Sequence, residues 1–158
     1  MYLLTDPDKC TGCGLCELAC SFHNENIFAP SLSRISVLRW YMKGVFIPLS
    51  CAQCEEPMCE SACPLGAISQ NTATGAWEVN ADQCQGCKMC LLVCPLGGMG
   101  FNMEKGVALK CDFCGGKPEC VNFCPTGALE IIEDEQLVLI KKKKSLKRMA
   151  EVLASLAE

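Results

Sequence analysis

The 16 cysteines of this 158-residue chain fall into four quartets with none left over, and no other feature restricts the fold as tightly. The third quartet reads Cys84-x2-Cys87-x2-Cys90-x3-Cys94-Pro95. The first repeats that spacing at Cys10, Cys13, Cys16 and Cys20, with Ser21 in the proline's place. Two looser copies follow the same plan: Cys51-x2-Cys54-x4-Cys59-x3-Cys63-Pro64, and Cys111-x2-Cys114-x5-Cys120-x3-Cys124-Pro125.

This is the spacing of bacterial iron–sulfur ligation. A 4Fe–4S cubane has four iron corners, each asking for one thiolate. Three cysteines two residues apart can wrap a tight loop around one face. The fourth is expected to sit where a helix starts and to point away; in two-cluster ferredoxins it serves the other cluster. The proline after it holds its φ and lacks an N–H, which suits a turn or a first helical position. Gly12, Gly14 and Gly86 keep the loops small, so that backbone N–H groups approach the sulfurs and bear on reduction potential.

Two other uses of cysteine fit less well. A disulfide-stapled secreted domain calls for a leader, and residues 1–9 contain no apolar core for one. Zinc sites usually pair two C-x2-C knuckles across a dozen or more residues, rather than packing three cysteines together before a Cys-Pro.

Half of the residues are hydrophobic, but that figure includes the cysteines, so the ordinary apolar core is thin. Clusters are expected to take its place and to leave the iron-free chain largely unfolded. No apolar run approaches the roughly 20 residues of a membrane span. The thiolates together with the missing leader point to a reducing, anaerobic cytoplasm. Charge is unevenly placed. Residues 1–140 carry 8 basic and 16 acidic side chains, whereas residues 141–158 carry 6 basic and 2 acidic. Thiolate-ligated clusters deepen the acidity of the body.

Along the chain, residues 2–5 read as a strand and residues 6–8 as a turn, and a short helix ends near His23. His23 is read as a surface residue without chemistry of its own. Residues 35–40 and 45–49 form a hairpin, with Pro48 holding its strand to an edge and Trp40 and Tyr41 either packed in the core or docking a partner. Further hairpins are expected across residues 71–75 and 104–106. A last one joins 128–132 to 137–140, with its second strand beside residues 2–5. In the tail, Leu146, Met149, Leu153 and Leu156 share one face of a helix that follows Lys141–Lys144. That helix packs on its own domain or on a partner subunit. Nucleic acid and membrane are the less favoured readings of its basic start.

The chain resembles the four-cluster ferredoxin-type electron-transfer subunits of molybdenum and tungsten pterin oxidoreductases, including those of dimethyl sulfoxide reductase and formate dehydrogenase. The likeness rests on Cys51-Ala-Gln-Cys54, Pro57-Met-Cys59, Cys63-Pro-Leu-Gly-Ala-Ile68, Cys84-Gln-Gly-Cys87-Lys-Met-Cys90, Lys110-Cys-Asp-Phe-Cys114 and Cys124-Pro-Thr-Gly-Ala128, over about residues 1–132. A narrower likeness, to the small subunits of tungsten enzymes of the aldehyde ferredoxin oxidoreductase type and of ATP-independent benzoyl-CoA reductases, rests on size, Cys20-Ser-Phe-His-Asn24 and the short tail. Leu96-Gly-Gly-Met99 departs from the family's commoner aromatic–Gly–small–Pro pattern.

The resemblance implies an α+β fold of two bacterial-ferredoxin-like modules, one inserted in the other. Residues 1–50 and 96–140 would form the outer module, with the hairpin insert at about 35–49, residues 51–95 the inner one, and 141–158 a basic linker and helix. It implies four 4Fe–4S clusters with crossed ligation. Cys10, Cys13, Cys16 and Cys124 would hold one, and Cys20, Cys111, Cys114 and Cys120 the second. Cys51, Cys54, Cys59 and Cys94 would hold the third, and Cys63, Cys84, Cys87 and Cys90 the fourth. The implied role is to relay single electrons between a catalytic tungsten or molybdenum pterin subunit and another redox protein such as a ferredoxin, within a hetero-oligomer. A free polyferredoxin, or an electron-transfer subunit of a hydrogenase or carbon monoxide dehydrogenase system, is the alternative. Every quartet is complete, so no iron is left open for substrate, and no catalytic residue is expected.

Overall fold

A computed structural model describes residues 1–133 together with Gln136, Val138, Leu146 and Met149. In chain order the elements are β1 (Tyr2–Thr5), α1 (Leu15–Glu25), β2 (Ile35–Trp40), β3 (Val45–Ser50), α2 (Met58–Ser61) and β4 (Ile68–Gln70). They continue with β5 (Trp77–Val79), α3 (Met89–Val93), β6 (Met99–Asn102), β7 (Val107–Lys110), α4 (Glu119–Asn122) and β8 (Leu129–Ile132). This is an α+β protein with few and short helices. Its described strands pair as four two-stranded antiparallel sheets.

Three of those sheets are the local hairpins β2–β3, β4–β5 and β6–β7. Gly44 and Gly106 close two of the turns at φ +62 and +68. Pro48 stands opposite Val37 in a sheet of two strands, where no third strand asks for its missing N–H. The tip of this hairpin is bare: Trp40, Tyr41 and Met42 are exposed, which corrects the core placement of Trp40 and Tyr41. Lys43 lies over the Trp40 ring at 4.5 Å.

The fourth sheet pairs β1 with β8, Tyr2 opposite Ile132 and Thr5 opposite Leu129. Among the described residues the strand beside residues 2–5 is 129–132. The turn after Cys124 delivers Ala128 to Asp6, whose N–H donates to the Ala128 carbonyl at 2.8 Å, so the next residue is already in register with Thr5. Of residues 137–140 only Val138 is described, and it is helical and exposed. Leu146 and Met149 are likewise helical and exposed, whereas Leu153, Leu156 and Lys141–Lys144 lie outside the described residues.

Thiols take part in each cluster of the core. One buried group joins Cys16, Cys20 and Cys120 to Ile35, Val37 and Leu129, and there α1 packs on α4. A second centres on Ile68, Cys90 and Ala108, where α2 packs on α3. A third joins Ala76, Cys111 and Phe113, with Leu3, Cys51 and Ile131 around them. A partly buried ion pair ties α1 to β2. The Glu17 carboxylate accepts the Val37 N–H at 2.8 Å and pairs with Arg39. No described helix is long and apolar enough to cross a membrane.

Candidate iron–sulfur sites

The four cysteine loops share one backbone device. The residue before the second cysteine of each quartet is left-handed: Gly12 (φ +73), Gln53 (+49), Gly86 (+69) and Phe113 (+57). This turns the chain back on itself, so that the two sulfurs of a C-x2-C pair face one point. At Gly86 a Cβ would also collide with the Gly106 carbonyl. Gln53 and Phe113 adopt the same conformation against the preference of L-residues, and both are held by burial, at 7% and 1% exposure.

A helix then begins at the third cysteine of each quartet, not at the fourth. Cys16, Cys59, Cys90 and Cys120 lie in the first two positions of α1, α2, α3 and α4. In α1 the fourth cysteine, Cys20, follows one turn later on the same face of the helix. In the other three quartets the helix ends before the fourth cysteine, so Cys63, Cys94 and Cys124 lie just beyond α2, α3 and α4.

The sites can be recognised by what lines them. Cys10, Cys13, Cys16 and Cys124 line one pocket, and Cys51, Cys54, Cys59 and Cys94 line another. Cys20 is close enough to Cys111, Cys114 and Cys120 to perturb all three. Cys63, Cys84 and Cys90 pack together around Ile68, and Cys87 lies near Cys90. None of the sixteen is disulfide-bonded. Among the described residues, no three His, Cys, Asp or Glu side chains converge as ligands of one ion would.

The donor set suits an iron–sulfur group. Burial pushes the Cys16 and Cys111 thiols up to about 12 and raises Cys120 further. Burial also raises Cys59, Cys90 and Cys114. Thiolates at these places need a cationic core beside them. Cys124 moves the other way: its burial is outweighed by backbone N–H donors, Leu129 and Ala128 among them, and by Thr126.

Three of the fourth cysteines receive the same hydrogen bond. In Cys-Pro-x-Gly-Ala or Cys-Pro-x-Gly-Gly, the N–H four residues on donates to the sulfur: Ala67 to Cys63 at 3.3 Å, Gly98 to Cys94 at 3.3 Å, Ala128 to Cys124 at 3.2 Å. Proline ends the helix at that point. At Cys20, Ser21 lets α1 run on to Glu25, and the sulfur instead takes the Arg34 N–H at 3.2 Å and the Asn24 amide at 3.6 Å.

Two residues that the sequence analysis quoted only as parts of the family motifs, without a role, join the groups. Gln53 Nε2 donates to the Cys111 carbonyl at 2.5 Å, and its Oε1 accepts the Trp77 N–H at 2.8 Å. Lys110, immediately before Cys111, donates from Nζ to Cys51 Sγ at 2.5 Å. The sequence signals for Lys110 were its place in Lys110-Cys-Asp-Phe-Cys114 and a charge closing the apolar run Val-Ala-Leu. Arg34 pairs with Asp112 at 2.7 Å. Gly98 packs against the Cys51 backbone, leaving no room there for a Cβ. His23 is exposed at the wall of an apolar groove beside α1, away from the sulfurs.

A family described as "4Fe-4S dicluster domain" matches residues 42–135, and one described as "4Fe-4S binding domain" matches residues 4–23. Among curated relatives, the "Aliphatic sulfonate oxidoreductase, polyferredoxin-like subunit" of Pyrococcus furiosus is 42% identical over 124 residues, 78% of this chain and 71% of that one. The "Electron transport protein HydN" of Escherichia coli is 35% identical, covering 90% of this chain and 94% of its own. A chain of the solved "Active site complex BamBC of Benzoyl Coenzyme A reductase in complex with Zinc" aligns over 99% of this chain and 96% of that one, at 27% identity and a TM-score of 0.49. With two matching ferredoxin-type domains and relatives named as electron-transport proteins, the chain belongs to the 4Fe–4S dicluster family of electron-transfer iron–sulfur proteins.

Proposed function

We propose that this chain holds four 4Fe–4S clusters and relays single electrons between a catalytic tungsten or molybdenum pterin oxidoreductase subunit and another redox protein. The observation that carries the reading is that none of the sixteen cysteines is disulfide-bonded and that two sets of four, Cys10, Cys13, Cys16 and Cys124, and Cys51, Cys54, Cys59 and Cys94, each line a common pocket. When bound, such clusters supply one-electron carriers. The ligand sets are Cys10, Cys13, Cys16 and Cys124; Cys20, Cys111, Cys114 and Cys120; Cys51, Cys54, Cys59 and Cys94; and Cys63, Cys84, Cys87 and Cys90.

Residues 1–50 and 96–140 form an outer module and residues 51–95 an inner one. The pairing of β1 with β8 and the packing of α1 on α4 support the outer unit, and the packing of α2 on α3 supports the inner one. Shared core residues support one order of the groups. Cys16, Cys20 and Cys120 share one core, which supports the first and second sets being neighbours. Cys51 lies beside Cys111, which joins the second set to the third. Cys59, Cys63 and Cys90 share another core, which joins the third to the fourth. These neighbourhoods support a linear wire, with α1 carrying one cysteine of the first set and one of the second.

The partner is tested by native mass spectrometry of the complex drawn from cells without oxygen. A heterocomplex with a pterin-bearing subunit is expected. A lone chain carrying its clusters would favour a free polyferredoxin.

A further inference from the structure

Lys110 is the one buried lysine among the described residues, at 4% exposure. It stands at the end of β7, bonded to Cys111 of the second set, while its side chain crosses to Cys51 of the third, at 2.5 Å. No described carboxylate pairs with it. Glu56 lines the same pocket but is exposed. The other cation near the cysteines, Arg34, is engaged by Asp112. A buried ammonium without an anionic partner is strongly unfavourable, so the sulfur must serve as that partner. Everywhere else the recorded partners of sulfur are neutral: the backbone N–H groups of Arg34, Gln53, Ala67, Gly98 and Ala128, the Asn24 amide and the Thr126 hydroxyl.

We propose that Lys110 is the potential-setting residue of the chain: it raises the reduction potential at the third cysteine set above its neighbours and makes the junction of the two modules the place where a travelling electron rests. Net charge and hydrogen bonds to the sulfurs are among the determinants of cluster potential. A charge-assisted bond is about twice as strong as a neutral one. Reduction adds negative charge beside Cys51, and a buried ammonium favours that state over the oxidised one. One electron leaves a neighbouring station and is held at this one; no bond forms or breaks. The inference rests on the ligand sets proposed above.

The test is an anaerobic redox titration of the iron-loaded full chain, followed by EPR, for Lys110→Met and Lys110→Arg, with iron content read first. Lys110→Met is expected to keep its iron and to lower one potential by at least 59 mV, a tenfold change in a one-electron equilibrium, while the other three hold. Lys110→Arg restores it. The signal that moves should be the one lost in Cys54→Ser. If another signal moves, the ligand sets are wrong. Unchanged potentials in an iron-replete Lys110→Met protein overturn the role of the lysine itself. If that variant loses iron, Lys110→Gln is read instead. A wild-type potential there, or loss of iron there too, overturns the proposal in favour of a structural ammonium.

Discussion

Gln53 shows how one side chain can be both strained and indispensable. Its φ of +49 favours glycine, yet its amide satisfies the Cys111 carbonyl and the Trp77 N–H. Gln53→Ala keeps the strain and removes both bonds, at about 1–3 kcal/mol for each buried group left unpaired. Gln53→Gly should stand about 1 kcal/mol above the alanine variant. Denaturant unfolding of the iron-loaded proteins measures both, and equal stabilities would refute the strain. Arg39 is the counterpart among charges. Arg39→Ala leaves Glu17 buried without its partner, an expected loss of about 3–5 kcal/mol in the same assay.

At the scale of elements, proline decides how a quartet ends. Three helices stop at Cys-Pro and close on a turn, whereas α1 continues through Ser21, whose hydroxyl donates to the Leu18 carbonyl and accepts the Ala29 N–H, both at 3.1 Å. Ser21→Pro should therefore cost about 3 kcal/mol or more and read out as a lower melting temperature at full iron content. The hairpins were legible in the sequence because apolar, β-prone runs flank turn residues such as Gly44 and Gly106. The partner of residues 2–5 was not, because two apolar segments, 128–132 and 137–140, fit the same pattern; only the turn after Cys124 distinguishes them. The start of each helix was misplaced by one cysteine. Spacing alone does not say that the left-handed residue before the second cysteine completes the loop early enough for helix to begin at the third.

For the whole molecule, the cysteine pattern exposed the chemistry while leaving hidden what joins its parts. Gln53, Lys110 and Arg34 act across long sequence separations, and nothing local in the sequence tells which distant group each one reaches. With thiols taking so much of the core, folding should depend on the inorganic groups. Chelating iron from the anaerobic protein is expected to abolish its ordered circular dichroism signal, and reconstitution to restore it. An iron-free chain with full helix and strand content would contradict this. The most direct measurement is native mass spectrometry of the anaerobically reconstituted chain, joined to Mössbauer spectroscopy of the same sample. The account predicts a mass increment of four Fe4S4 units, about 16 iron per chain, and cubane spectra throughout. A plateau at fewer units, or bound zinc in their place, would contradict it.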